Sequence, residues 1–405
     1  MNTTLSTKQS IFVKNLFLTT ILGGIIGILN YLFNIFIARY TDQTIFSTFS
    51  AALGIIYLVQ VPAVAIQSVV TKAVAKNKGA DLDHYKWYSF IIFSIIGVVF
   101  STLFFLSRGV IADIANIPSE IVLFLAITMF FAFTSPVGKG LLLGKERIGT
   151  VNLILLLETI LKFAMGWVAI EMGGDVALLV LANSIPAILT TIIILPLVRF
   201  KKERDEKVKI DFKEVILITL SFLFLSGPFM LTLPLVNPEF RAEFSAVSIL
   251  GKLVYFASIM TASVLFARLT NEEEEKSQKK SLMISLALSI SIGLFISLLF
   301  FLFNGLITDI TVGSQYSMVS GYIGGFGLCM TAYAFVYMAA NYFISKQYFN
   351  YLYILVIATI LQILFFIFRN DTLDMVMLNQ AIVYGFMALS TVTYLIFKLR
   401  QYRNE

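Results

Sequence analysis

The sequence predicts an all-α polytopic membrane protein of about twelve transmembrane helices in two pseudo-symmetric six-helix lobes. Three observations carry this expectation. Of the 405 residues, 58% are hydrophobic and 13% charged, with a mean hydropathy of +0.88, which is too much apolar surface for one water-soluble core. The apolar residues come in runs of roughly twenty, the length a helix needs to cross ~30 Å of hydrocarbon, whereas a barrel would show alternating strands of about ten. The longest charged run, Arg199 to Lys213, falls almost halfway, with six apolar runs on either side. The expected division is a lobe over residues 1–200, a basic linker over 201–213 and a second lobe over 214–405.

In order, span one covers Leu16 to Ala38. The preceding polar tail with Lys8 and Lys14 faintly resembles a signal peptide, but no Ala-x-Ala-like cleavage site follows, so the run is expected to remain as a span. A polar turn, Arg39 to Thr44, leads to span two, Ile45 to Val70. The lysine-rich loop Lys72 to Lys86 holds the one histidine, His84, read as a solvated residue among loop charges. Spans three (Trp87 to Leu106) and four (Glu120 to Leu143) follow. Span four contains Ser135-Pro-Val-Gly-Lys-Gly140, where Pro136 should weaken the backbone ladder. Spans five and six are Thr150 to Met172 and Val176 to Val198. Span seven, Glu214 to Val236, is interrupted at Gly227-Pro228 and Pro234, and span eight is Phe244 to Ala267. The run Asn271 to Lys280 reads as a solvated turn. Spans nine to twelve are Ser281 to Phe303, Tyr316 to Asn341, Tyr351 to Phe368 and Met375 to Phe397.

Charge orients the chain. With the N-terminus on side one, that side collects 23 of the 30 Lys and Arg, the other only Arg39, Arg108, Arg241 and Arg369. The positive-inside rule then places both termini in the cytoplasm, and the expected location is the cytoplasmic membrane. The net charge of +6 is explained by topology, and no nucleic-acid partner is expected. One cysteine, Cys329, rules out an internal disulfide framework. There is no Walker-type loop, dinucleotide fingerprint or zinc-protease motif, and no nucleophile–His–acid constellation is found around the single histidine. The sequence therefore calls for no cofactor and no enzymatic activity, and shows no channel-filter motif.

A weak internal copy relates span two to span eight. Phe46-Ser-Thr-Phe-Ser-Ala-Ala-Leu-Gly54 matches Phe244-Ser-Ala-Val-Ser-Ile-Leu-Gly251. Both enter from the same side, so the repeat is parallel, and a central cleft between lobes is expected.

Candidate functional residues follow from cost. A charge at mid-membrane costs ~2.5–3.5 kcal/mol on insertion scales, and Glu158, Lys162 and Lys252 lie near mid-span. Glu158 and Lys162 are one helical turn apart in the order that favours an ion pair; they read either as a self-satisfied structural pair or as cleft residues, with Glu158 coupling or gating. Lys252 has no acid within reach on its own span and so needs a partner elsewhere, water or an anionic ligand. Lys139 and Arg39, near span ends, read as snorkelling cations or substrate contacts. Asn30 and Asn34 share one face of span one, while Asn341, Gln362 and Gln380 are read as interhelical hydrogen-bonders. Pro136 and Pro228 are candidate bending points.

Several motifs then resemble a known family. Ile37-Ala-Arg-Tyr40 with a polar turn and Phe46, Gly140-Leu-Leu-Leu-Gly144, Leu250-Gly-Lys252 and Val264-Leu-Phe-Ala-Arg-Leu269 occur in the order seen in polysaccharide and lipid-linked oligosaccharide flippases of the multidrug/oligosaccharidyl-lipid/polysaccharide superfamily. The resemblance covers most of the chain from about Asn15 to Asn271, and the remainder agrees only in span layout. The chain departs from it at Tyr40-Thr41, where the family has Leu-Gly, and at Gly227-Pro-Phe-Met230, where an Asn-x-Asp is common. The resemblance implies a two-lobed, MATE-like fold that moves a polyprenyl-pyrophosphate-linked glycan between leaflets by alternating access. Membrane lipid, and a polysaccharide polymerase or glycosyltransferases, are the further partners it implies. On that reading Arg39, Lys139, Lys162, Lys252, Asn30 and Asn34 hold the substrate, while Glu158, Pro136 and Pro228 couple or gate. A cation-coupled drug antiporter on the same scaffold, and a non-transporting scaffold for glycan enzymes, are the alternatives.

Overall fold

The computed structural model describes residues 22–77, 82–198, 210–269 and 275–401. The N-terminal tail, the body of the predicted linker and the start of the Asn271–Lys280 run lie outside them. Among the described residues, twelve helical stretches are long and apolar enough to span a membrane. They form two compact units: unit 1 contains the described residues up to Phe33 and Ile55–Thr219, unit 2 contains Asn34–Gly54 and the described residues from Leu220 on.

The first unit draws on α1 (Leu22–Tyr40) and on α2 (Gln43–Val59), α3 (Val61–Lys76), α4 (Asp83–Leu106), α5 (Arg108–Ala115), α6 (Ser119–Gly144), α7 (Ile148–Glu171) and α8 (Val176–Val198). The second predicted span is thus two helices, divided at Gln60, with Pro62 in the first turn of α3, where its missing N–H is not needed. The Gly140/Gly144 pair earns its spacing in packing: a Cβ on Gly140 would lie 2.9 Å from the Gln67 carbonyl, and one on Gly144 would lie 2.5 Å from Val74. Small residues four apart let α3 and α6 approach backbone to backbone, as in lipid-embedded helix pairs. Lys72 of α3 forms an ion pair with Glu214.

The second unit contains most of α9 (Phe212–Met230), then α10 (Thr232–Leu235), α11 (Pro238–Leu269), α12 (Glu275–Leu302), α13 (Asn304–Thr311), α14 (Ser320–Ser345), α15 (Leu352–Phe368) and α16 (Leu373–Gln401), with 3₁₀ turns at Ser314–Val319 and Phe349–Tyr351. Pro228 shows what an interrupted span demands. Lacking an N–H, it leaves the Phe224 carbonyl without its helical donor, and the Thr359 hydroxyl of α15 donates there instead at 3.1 Å. The helix ends two residues later. Thr232 then becomes a hub: it donates to the Pro228 carbonyl at 2.8 Å and accepts from the Gln362 and Gln380 amides, each at 2.9 Å. Arg241, fully buried, donates to the Pro234 and Val236 carbonyls that close α10.

The repeat is clearer in the backbone than at Phe46 and Phe244. Ten of the eighteen residues from Gly97 to Ile114 recur 196 places on, from Gly293 to Ile310. The hydrogen bonds recur with them. Ser107 N–H to Leu103 O and Ile111 N–H to Ser107 O join α4 to α5; Phe303 to Leu299 and Ile307 to Phe303 join α12 to α13. Ile117 N–H to Ala112 O closes α5, and Gly313 N–H to Thr308 O closes α13. Beyond this point the offset becomes 201: α6 and α14 each have 26 residues, and each ends in a turn with a left-handed residue, Glu146 and Gln347. Between the matched stretches the first copy has Pro118 alone, and the second has Ser314–Val319.

Candidate functional site

In unit 1 the polar residues gather where α6, α7, α8 and α1 meet. The one-turn spacing within α7 predicts that Glu158 pairs with Lys162, but the structure pairs it with Lys139 of α6, Nζ to Oε2 at 3.0 Å. Thr190 of α8 donates to the same oxygen at 3.2 Å. Lys162 turns instead toward α1, where its ammonium donates to Asn30 Oδ1 at 3.2 Å and lies 4.5 Å from the Phe33 ring centroid. Helix packing decides the partner: α6 brings a cation to one side of α7, and α1 brings an acceptor and an aromatic face to the other.

Two further residues complete this cluster. Asn30 Nδ2 donates to Thr159 Oγ1 at 3.2 Å, tying α1 to α7 beside the Glu158 turn. Gly166, one turn beyond Lys162, makes room for Phe33, since a Cβ there would lie 2.4 Å from the ring. Glu158 thus has a cation and a hydroxyl on one oxygen, and Lys162 an amide oxygen and a π-face. Side-chain exposure is 13% for Lys139 and 25% for Glu158, while Lys162 is buried.

In unit 2, Lys252 of α11 is buried, and its ammonium lies 5.1 Å from the Phe229 ring centroid. Phe229 stacks on Tyr333 at 5.3 Å and packs on Tyr255 at 5.9 Å. Pro228, which ends α9, therefore also fixes the ring facing Lys252. Each unit buries a lysine over a phenylalanine.

The remaining predicted residues are placed as follows. Pro136 is buried within a continuous α6, one turn before Lys139. Asn34 is buried one turn after Asn30. Arg39 joins neither cluster: exposed at the end of α1, its Nη1 donates to the Ile310 carbonyl at 2.8 Å. Gln362 and Gln380 are interhelical hydrogen-bonders, as expected, on Thr232. Residues the sequence reading did not single out are Thr190, Thr159, Phe33, Phe229 and Thr232. A hydroxyl or ring in a span rich in both carries no signal until a partner helix is known.

No family model and no curated protein matches the chain. Solved structures do. An inward-facing multidrug resistance MATE family transporter of the MOP superfamily aligns with a TM-score of 0.73 at 16% identity, covering 92% of this chain and 93% of that one. The lipid II flippase MurJ, in an inward closed conformation, aligns with a TM-score of 0.74 at 13% identity, covering 94% and 87%. A MOP superfamily transporter from Pyrococcus furiosus Vc1, described as having a binding pocket of reverse polarity, aligns with a TM-score of 0.57 at 14% identity, covering 96% and 95%. On the strength of its helices, their order and these likenesses, the chain is a multi-pass membrane protein with the fold of the MATE-family transporters and of MurJ.

Proposed function

We propose that the protein is a flippase that moves a lipid-linked oligosaccharide or polysaccharide precursor across the cytoplasmic membrane by alternating access, for assembly of cell-surface polysaccharide. The observation that supports this most is the buried lysine over an aromatic ring in each unit, Lys162 on Phe33 and Lys252 on Phe229. A lysine in a membrane-spanning helix is costly and marks a site by default, and here one such lysine faces a ring in each unit. Near mid-span, two lysines, Lys162 and Lys252, stand against one glutamate, Glu158, a balance suited to a pyrophosphate-linked substrate rather than to a cationic drug. In this mechanism Lys162 and Lys252 attract the head group, with Lys139, Asn30 and Asn34 lining its path. Glu158 couples turnover to the state of its pair with Lys139, and the chain bends at Pro136 and Pro228. Arg39 acts at the end of α1. A polysaccharide polymerase or glycosyltransferases supply and consume the substrate.

The second reading, a cation-coupled drug antiporter, is supported by the Lys139–Glu158 pair, which a transported cation or proton could break. One experiment separates the two. A fluorescently labelled polyprenyl-pyrophosphate oligosaccharide is placed in proteoliposomes, and its arrival in the outer leaflet is read with a membrane-impermeant quencher. The flippase reading expects Lys252→Ala and Lys162→Ala each to lower the rate at least tenfold while the protein remains inserted. Flipping at the native rate in both variants would remove the head-group role. Gradient-driven drug efflux without any lipid flipping would establish the antiporter.

A further inference from the structure

The two copies share the backbone hydrogen bonds of their bends and closures, and they part in length at one place. Where the first copy passes from α5 to α6 through Pro118, the second inserts five more residues and forms the 3₁₀ turn Ser314–Val319. That insertion, with the α13 terminus just before it, is where the α1–α2 corner is attached in unit 2. Gln315 Nε2 donates to the Ala38 carbonyl at 2.8 Å, one of the four α1 carbonyls that a helix leaves without internal donors. Gln43 Nε2 donates to the Gln315 carbonyl at 3.2 Å. Arg39 donates to Ile310 O, a C-terminal carbonyl of α13 with the same need. Tyr316 packs its ring on Phe46, centroids 5.9 Å apart, and both are fully buried. A proline at this position offers neither a side-chain amide nor an N–H.

The corner is braced within itself. Asp42 caps α2 by accepting from the Ile45 N–H at 2.8 Å, and the Thr41 hydroxyl donates back to the Ile37 carbonyl at 2.7 Å. Its ties to the insertion differ in kind from the rest of unit 2. Arg39, Gln43 and Gln315 are all exposed, so water can replace their hydrogen bonds at small net cost. The Thr232 hub, whose glutamines are fully buried, has no such substitute. A braced corner whose hydrogen bonds to the insertion are all exchangeable, with one buried ring contact beside them, on an element present in one repeat only, is an attachment suited to release.

We propose that the insertion Ser314–Val319 is a clasp for the α1–α2 corner, with Gln315 and Gln43 as positioning residues, and that the clasp opens once in each transport cycle. This rests on the transporter reading, not on the substrate's identity. Two arms test it in a Cys329→Ala background, which removes the one native thiol. In the first, Gln43→Cys and Gln315→Cys are bridged with a short methanethiosulfonate cross-linker in proteoliposomes holding the labelled polyprenyl-pyrophosphate oligosaccharide. Flipping should fall at least tenfold and return on reduction. In the second, Ser47→Cys, buried in the first turns of α2, reports opening through its labelling rate with a hydrophilic maleimide. Adding Gln315→Ala should raise that rate about tenfold. Full flipping by the bridged protein overturns the clasp, whatever the labelling shows. If even the unbridged protein flips nothing, the substrate reading fails, and the labelling arm alone decides: an unchanged rate overturns the clasp, an increased rate sustains it.

Discussion

Replacing Lys139 with methionine will destabilise the protein by about 3 kcal/mol, and adding Glu158→Gln to that variant will recover most of the loss. The carboxylate loses a cation 3.0 Å away and keeps only the Thr190 hydroxyl, within helices that offer little water. Removing one member of a buried pair typically costs ~3–5 kcal/mol because the survivor is left charged, whereas removing both charges is close to neutral. The lower end applies because Glu158 retains 25% side-chain exposure. Thermal unfolding of the four proteins in detergent, read as a double-mutant cycle, measures the coupling. Equal losses in the single and double variants would show that Lys139 contributes through packing alone.

Thr232→Val should be the most damaging near-isosteric change in the second unit, at about 2–5 kcal/mol, since burial without a partner costs ~1–3 kcal/mol per polar group. One hydroxyl is lost, but it serves the Gln362 and Gln380 amides and the Pro228 carbonyl together. Both glutamines are fully buried, so neither finds solvent. Substituting Gln362→Leu and Gln380→Met alongside Thr232→Val removes the stranded donors and should restore much of the melting temperature. A Thr232→Val protein that melts with the native one would mean that the amides had found other acceptors.

These two cases show where reading from sequence stops. The spans were legible because twenty apolar residues satisfy their own backbone only as a helix across lipid. Val176–Val198 matches its predicted bounds to the residue. The partner of Glu158 was not legible. Spacing within α7 favours Lys162, and only the packing of α6 against α7 brings Lys139 closer. The role of Gln362 as an interhelical donor followed from its polarity in an apolar run, but its acceptor, Thr232, is one of many span hydroxyls. Arg39 was open to a substrate or a snorkelling role, and its bond to Ile310 depends on α13, 271 residues away. The repeat at Gly97–Ile114 and Gly293–Ile310 needs no structure to be seen. What the structure adds is that its bends, closures and left-handed turns recur as well, so the copy is one of geometry and not of composition.

The short helices α5 and α13 carry a consequence for the surrounding lipid. Each follows a bent junction with the same hydrogen bonds, and each exposes an apolar pair one turn apart, Val110 with Ile114 and Leu306 with Ile310, beside an exposed aspartate, Asp113 or Asp309. A short helix that is greasy on one edge and charged on the next has one comfortable depth, at the border between acyl chains and water. The chain therefore carries two matched depth gauges, one per copy, each joined to a long span through a hinge-like bend. A bilayer whose thickness changes the depth each short helix seeks relative to its own long span is expected to load the bend between them, so lipid chain length is expected to act on each copy as a mechanical input.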